Sequence, residues 1–121
     1  MTAAHLNFDN QQAQSIEQGA TFEFPFIWED SVGAIIDISF YEAKMQIRKN
    51  FGGPLVAELS TDNGKITIDS NNELMLRLSA EETQLLPPGK YLYDLELTDT
   101  FDGTVYRLIE GEIYVSPEVT V

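Results

Sequence analysis

The sequence predicts an all-β domain, an antiparallel sandwich of about seven short strands with one helical turn near residues 80–86. Three observations predict it. Apolar and polar residues alternate with a period of two along most of the chain, as in strands that bury one face. Clusters of Gly, Asn, Asp and Pro interrupt that alternation at intervals of about ten residues. The 121 residues, 43% of them hydrophobic, suffice for one continuous core and call for no second domain.

Residues 1–18 form the least patterned stretch, rich in Gln and Asn. They are expected to be a polar arm lying on the body or on a neighbour, ahead of a single sandwich domain over residues 19–121. Thr21 to Trp28 then alternates, with Phe22, Phe24, Phe26 and Trp28 on one side and Glu23, Pro25 and Ile27 on the other. Pro25 has no N–H for a ladder, so this strand belongs at a sheet edge or a bulge. The clearest alternation is Tyr41 to Arg48, which turns Tyr41, Ala43, Met45 and Ile47 inward. Leu55 to Ser60 leads into Thr61-Asp62-Asn63-Gly64, where Asn-Gly supplies the positive φ angles of a tight hairpin with Lys65 to Asp69. A further turn at Ser70-Asn71-Asn72 feeds Glu73 to Ser79, with Leu74, Leu76 and Leu78 inward, so these strands are expected to form a meander.

Ser79-Ala80-Glu81-Glu82 reads as a capping box, because Ser79 can accept from the amide of Glu82 while the Glu82 carboxylate reaches back. Leu86-Pro87-Pro88-Gly89 ends that helical turn, and Lys90 to Thr98 places Tyr91, Tyr93, Leu95 and Leu97 inward. After a turn at Asp102-Gly103, the last stretch from Thr104 to Val115 changes parity, since Tyr106 and Leu108 occupy one phase and Ile113 and Val115 the other. Two readings stand: a β-bulge at Glu110-Gly111, or a strand buried on both faces. An immunoglobulin-like sandwich is the commonest architecture for this number and spacing of strands, and the look of a loop entering a strand through a buried tyrosine at Leu86 to Tyr93 agrees with it.

Charge and composition exclude several functions. Twenty acidic residues against seven basic ones give a net charge of −13, which disfavours nucleic acid and anionic membranes as partners. No apolar run approaches the roughly 20 residues of a bilayer span, and the amino terminus lacks signal-peptide character, so the chain is expected to be soluble and unprocessed. The absence of cysteine removes disulfides, thiolate nucleophiles and sulfur-based metal sites. Seven carboxylates (Asp9, Glu17, Glu23, Glu29, Asp30, Asp37, Glu42) precede the first basic residue, Lys44. One end of the domain is therefore expected to be negative, as a solvated face or as a docking patch for a basic partner.

Residues with catalytic potential are sparse. The one histidine, His5, has no local motif to make it a catalytic base. Glu81 and Glu82 are explained by capping, whereas Asp94 and Glu96 share an outward face, either simply solvated or a weak calcium site together with Asp99 and Asp102. Gly52-Gly53-Pro54 is a turn without the Lys and Ser/Thr of a phosphate loop. The Phe22, Phe24, Phe26, Trp28 stripe reads as core or protein interface before it reads as a sugar platform. No enzyme, cofactor, metal or small-molecule substrate is expected.

The segments Gly19 to Phe22, Trp28 to Asp30, Gly33 to Ile38, Ala43 to Arg48, Asn63 to Ile68, Leu78 to Thr83, Pro88 to Leu95 and Glu110 to Thr120 carry a resemblance in this order. The chain resembles small immunoglobulin-like structural proteins of tailed bacteriophages and prophages, of the tail-fibre collar type and the amino-terminal β domains of baseplate proteins. The resemblance implies a virion component assembled in the bacterial host cytoplasm, sited at the tail, collar or baseplate. Its implied partners are other virion structural proteins and copies of itself. Two alternatives stand: a capsid decoration or cement protein of the phage head, and a carbohydrate- or calcium-binding β module. Assembly is expected through edge strands and the arm, with Phe8, Pro25, Glu29 and Asp30 as candidate contacts.

Overall fold

The structure, a computed structural model, describes residues 3–120; Met1 and Thr2 of the expected arm and Val121 of the expected domain lie outside the described residues. In chain order the elements are β1 (Ala4–His5), β2 (Ile16–Glu17), β3 (Phe22–Ile27), β4 (Tyr41–Arg48), β5 (Leu55–Ser60), β6 (Ile66–Ile68), β7 (Glu73–Leu78), α1 (Ala80–Gln84), β8 (Gly89–Asp99) and β9 (Val105–Ser116). They form a sandwich-like pair of sheets. The six-stranded sheet runs β1-β9-β8-β4-β5 with β2 also on β9, and the three-stranded sheet runs β3-β7-β6. Pairing is antiparallel except for β1 and β2, which lie parallel to β9.

The core follows the predicted alternation. Ala43, Met45 and Ile47 of β4 and Tyr91, Tyr93, Leu95 and Leu97 of β8 are buried, as are Leu74, Leu76 and Leu78 of β7. Each large aliphatic side chain removed from water in this way contributes about 1.5–3 kcal/mol. The stripe on β3 packs on the same core, Phe22 buried and Phe24, Phe26 and Trp28 half-buried. The capping box forms with both of its hydrogen bonds, Glu82 N to Ser79 Oγ at 3.2 Å and Ser79 N to Glu82 Oε1 at 2.9 Å.

Residues 4–17, within the stretch expected as an arm, are tied into the larger sheet. Leu6 N donates to Glu110 O (3.0 Å), Phe8 N to Glu112 O (2.9 Å) and Tyr114 N to Phe8 O (2.8 Å). Phe8 and Ile16 are both 0% exposed, and the Phe8 ring stands edge-on to Phe22, Phe24 and Tyr93 at centroid distances of 5.6, 5.0 and 5.2 Å. The Tyr93 hydroxyl donates to Leu6 O at 2.6 Å. A Cβ at Gly111 would collide with the Leu6 carbonyl, so glycine there is the condition for the amino-terminal segment to lie this close to β9.

Two expectations are corrected. The parity change in β9 comes from an extra residue at Leu108, because Leu95 pairs with Ile109 and Glu96 with Arg107. Both Leu108 and Ile109 are buried as a result, and Glu110-Gly111 continues in regular register. The Asn63-Gly64 turn exists, with Gly64 at φ +81°, but it joins no hairpin. β5 pairs with β4 in the larger sheet and β6 with β7 in the smaller one, so the expected meander reduces to β6-β7. The chain crosses between layers here, burying Leu59 before the turn and Ile66 after it.

Candidate functional site

Of the four residues expected as assembly contacts, Pro25, Glu29 and Asp30 are exposed and Phe8 has no exposed surface. Glu29 pairs with Ile35 in a single bridge, and Asp30 Oδ1 accepts from Val32 N and Ala34 N, both at 3.0 Å. These two acids thus organise the loop that follows β3.

Two of the sheet edges, β3 and β5, are guarded. Arg77 N donates to Lys65 O (2.9 Å) and Asp69 N to Glu73 O (3.0 Å), so Glu73, Met75 and Arg77 turn their backbone groups to β6, and Leu74, Leu76 and Leu78 turn theirs to β3. The partners of that second set are Phe26, Phe24 and Phe22, which leaves Glu23, Pro25 and Ile27 facing the open edge. Proline stands in the middle of that edge, where its missing N–H costs the sheet nothing and denies a donor to an added strand. On β5, Thr61 N donates to Ala43 O (3.0 Å), which by the same alternation turns Glu58 and Ser60 outward. Asn63 then covers them: its Nδ2 donates to Glu58 O (2.9 Å) and its Oδ1 accepts from Ser60 N (3.0 Å) and Lys65 N (3.0 Å).

At the end of the sandwich where β4 and β9 begin and β8 finishes, two phenylalanines stand out of the surface. Phe40 is 60% and Phe101 78% exposed, and their rings lie 5.1 Å apart. Their loops are tied together by Thr100, whose Oγ1 and N both donate to Phe40 O at 2.6 and 3.2 Å. Each loop is also fixed by a carboxylate: Asp37 Oδ1 accepts from Ser39 N (2.9 Å) and Oγ (2.6 Å), Asp99 Oδ1 from Phe101 N (2.8 Å), and Asp102 Oδ1 from Thr104 N (2.9 Å). Hydrogen bonds from Ser39 hold Asp37 below the ordinary carboxylate range, and those from Thr104 do the same for Asp102. Next to Phe40, Tyr41 joins Trp28 and Tyr106 in a half-buried aromatic trio, with Trp28 6.2 Å from Tyr41 and 5.4 Å from Tyr106. Burial first, then the nearby Asp99, raises the Tyr41 hydroxyl above the usual tyrosine range.

No family model matches the chain, and none of the curated proteins does.

A groove of about 260 Å³ on the outer face of the larger sheet is lined by Arg48, Phe51, Tyr93, Asp94 and Arg107 among others. Its guanidinium groups are already engaged. Arg48 donates to Gly53 O (2.7 Å) and Gln46 Oε1 (2.9 Å), and Arg107 Nε lies 3.5 Å from Asp94 and 3.9 Å from Glu96. A protein cation therefore stands beside the two carboxylates that the sequence offered for calcium. Among the described residues no group of three or more His, Asp and Glu side chains is placed to hold a metal ion. His5 lies on β1, exposed, paired in register with Glu110.

Phe40 and Phe101 carry a signal that sequence reasoning passed over. Each sits among turn-forming residues, Asp37 and Ser39 before Phe40 and Asp102-Gly103 after Phe101. A large aromatic side chain inside a turn has no strand parity to bury it.

Proposed function

We propose that this protein is a non-enzymatic structural component of a tailed-phage virion, a tail, collar or baseplate accessory protein that acts by protein–protein assembly. The observation that carries the assembly reading is the Phe40–Phe101 pair, two large apolar side chains held outward on hydrogen-bonded loops. Exposed apolar surface fixed in place loses little entropy when a partner covers it. The guarded edges of β3 and β5 turn the same reading away from strand addition there and toward the loops. The virion setting comes from the resemblance carried by Gly19 to Phe22, Pro88 to Leu95 and Glu110 to Thr120. An immunoglobulin-like sandwich is part of the proposal and is supported by Tyr91, whose hydroxyl donates to Pro87 O at 2.5 Å, four residues upstream at the start of β8.

The test is co-purification with particles. A tagged copy expressed during a phage growth cycle is expected to sediment with tailed particles and to be located on the tail by labelled electron microscopy. A chain that stays in the supernatant after the particles are pelleted overturns the reading, and a label on the head moves it to the decoration alternative.

A further inference from the structure

We infer that the Phe40–Phe101 tip docks a lysine- or arginine-bearing surface of a different protein, the two rings meeting an apolar anchor and the surrounding aspartates meeting the cations. The inference rests on the assembly reading and adds the chemistry of the partner. Its ground is charge. The connections 28–40, 69–72 and 100–104, with Asp99 at the end of β8, contribute Glu29, Asp30, Asp37, Asp69, Asp99 and Asp102 and no basic residue, and the connection 61–65, which leaves β5 at the same end, adds Asp62 and a Lys65 whose Nζ is paired with Glu82 at 2.7 Å. The two loops that carry the exposed rings therefore hold carboxylates and no cation.

That pattern selects among occupants. A second copy of this chain meeting tip to tip across a two-fold axis would set Asp37, Asp99 and Asp102 against their own counterparts, on a molecule already carrying −13. Anionic lipid headgroups are repelled by the same carboxylates. A cationic protein surface gains on every count: attraction steers the encounter, apolar contact holds the complex, and an arginine or lysine over a phenylalanine face adds a cation–π term. Phe40 and Phe101 already contact each other, so they present one apolar patch whose rim is acidic, the arrangement of an interface centre with a polar border.

The test uses the full-length protein and a short alternating lysine–leucine peptide as probe, with a glutamate–leucine peptide as its charge-reversed control. Trp28, the chain's one tryptophan, sits in the aromatic trio beside Phe40 and reports docking by fluorescence. Backbone amide shifts locate the peptide. The lysine–leucine peptide is expected to bind with shifts centred on residues 37–41 and 99–104, and to weaken as salt rises. The double variant F40S/F101S keeps the charge and is expected to bind about tenfold more weakly. The variant D37N/D102N keeps an Oδ1 at each position for the loop hydrogen bonds and is expected to show a shallower salt dependence. Equal binding by wild type and F40S/F101S, or shifts centred on the groove at Arg48 and Arg107, overturns the inference. So does a dimer, or attachment to zwitterionic lipid vesicles, that F40S/F101S abolishes. Absence of peptide binding in a protein that still enters particles removes this inference and leaves the assembly reading standing. Tip-specific binding by a protein that never enters particles does the reverse.

Discussion

The two ends of the sandwich use their polar groups in opposite ways. At the end holding α1, side chains bind the chain to itself. Gln18 Nε2 donates to Leu86 O (3.1 Å) while its Oε1 accepts from Glu118 N (3.1 Å), and Thr83, fully buried, accepts from Gly19 N (3.1 Å) and donates to Ala20 O (2.8 Å). Tyr91 and the capping box close the same end. Phe51 and Leu85 are also exposed near this end. At the tip, the aspartates bond to their own turns, and what those turns present is a pair of touching aromatic rings. The difference teaches where stability is concentrated: the amino-terminal segment, β9 and the α1 end hold the fold, and the tip is the part that the proposed reading assigns to a partner.

Among single substitutions the largest effect that would sharpen this contrast is Phe8→Ala, expected to destabilise by about 3–5 kcal/mol in urea unfolding, because the ring fills the centre of the core. Deleting residues 1–18 should be worse, giving a chain without a cooperative melt, since it removes Phe8 and Ile16 together. Gly111→Ala is next. Its new methyl group meets the Leu6 carbonyl, so a loss of about 1–3 kcal/mol is expected, with increased protease cleavage between Leu6 and Ser15. A resistant Gly111→Ala variant would show that the close approach of Leu6 is dispensable.

Ser79→Ala should cost about 1 kcal/mol by removing one half of the capping box, measurable as a lower urea midpoint. Tyr93 gives a pH signature of similar size. Burial, with the nearby Glu110 adding to it, raises its hydroxyl well above the ordinary value of 10.0. Above that pH the unfolded chain releases a proton that the folded chain keeps, so stability is full below pH 10 and declines as pH rises. Tyr93→Phe should lose about 1 kcal/mol at neutral pH with its hydrogen bond to Leu6 O, and should show a shallower alkaline decline than the parent. The smallest change should come from F40S/F101S, within about 0.5 kcal/mol of the parent, as for other exposed positions. A large loss there would break the contrast by making the tip part of the structural core.

Several elements were legible because their causes are local. The alternation in β4, β7 and β8, the capping box at Ser79 and the edge position of Pro25 each depend on residues within a few places of one another, and each is found as read. The candidate tip was barely legible: of the seven acids before Lys44 only Glu29, Asp30 and Asp37 lie in its loops, while Glu17 sits beside Ser116 and Glu23 opposite Arg77, and nothing local showed that Phe40 and Phe101, sixty-one residues apart in the numbering, would touch.

The sequence by itself determined which residues turn inward, where the chain turns and which strand tolerates proline, because side-chain parity and backbone dihedral preference act over one to four residues. Tertiary structure alone decided the rest. Asn63-Gly64 specifies a turn, yet whether the next strand pairs back or crosses to the other sheet depends on which layer still has apolar surface to cover. The polar stretch before Gly19 carries few apolar residues, and two of them, Phe8 and Ile16, reach the core only because β9 offers an edge that runs parallel to them. Gly111 looked like a bulge and proved to be the space through which that segment passes.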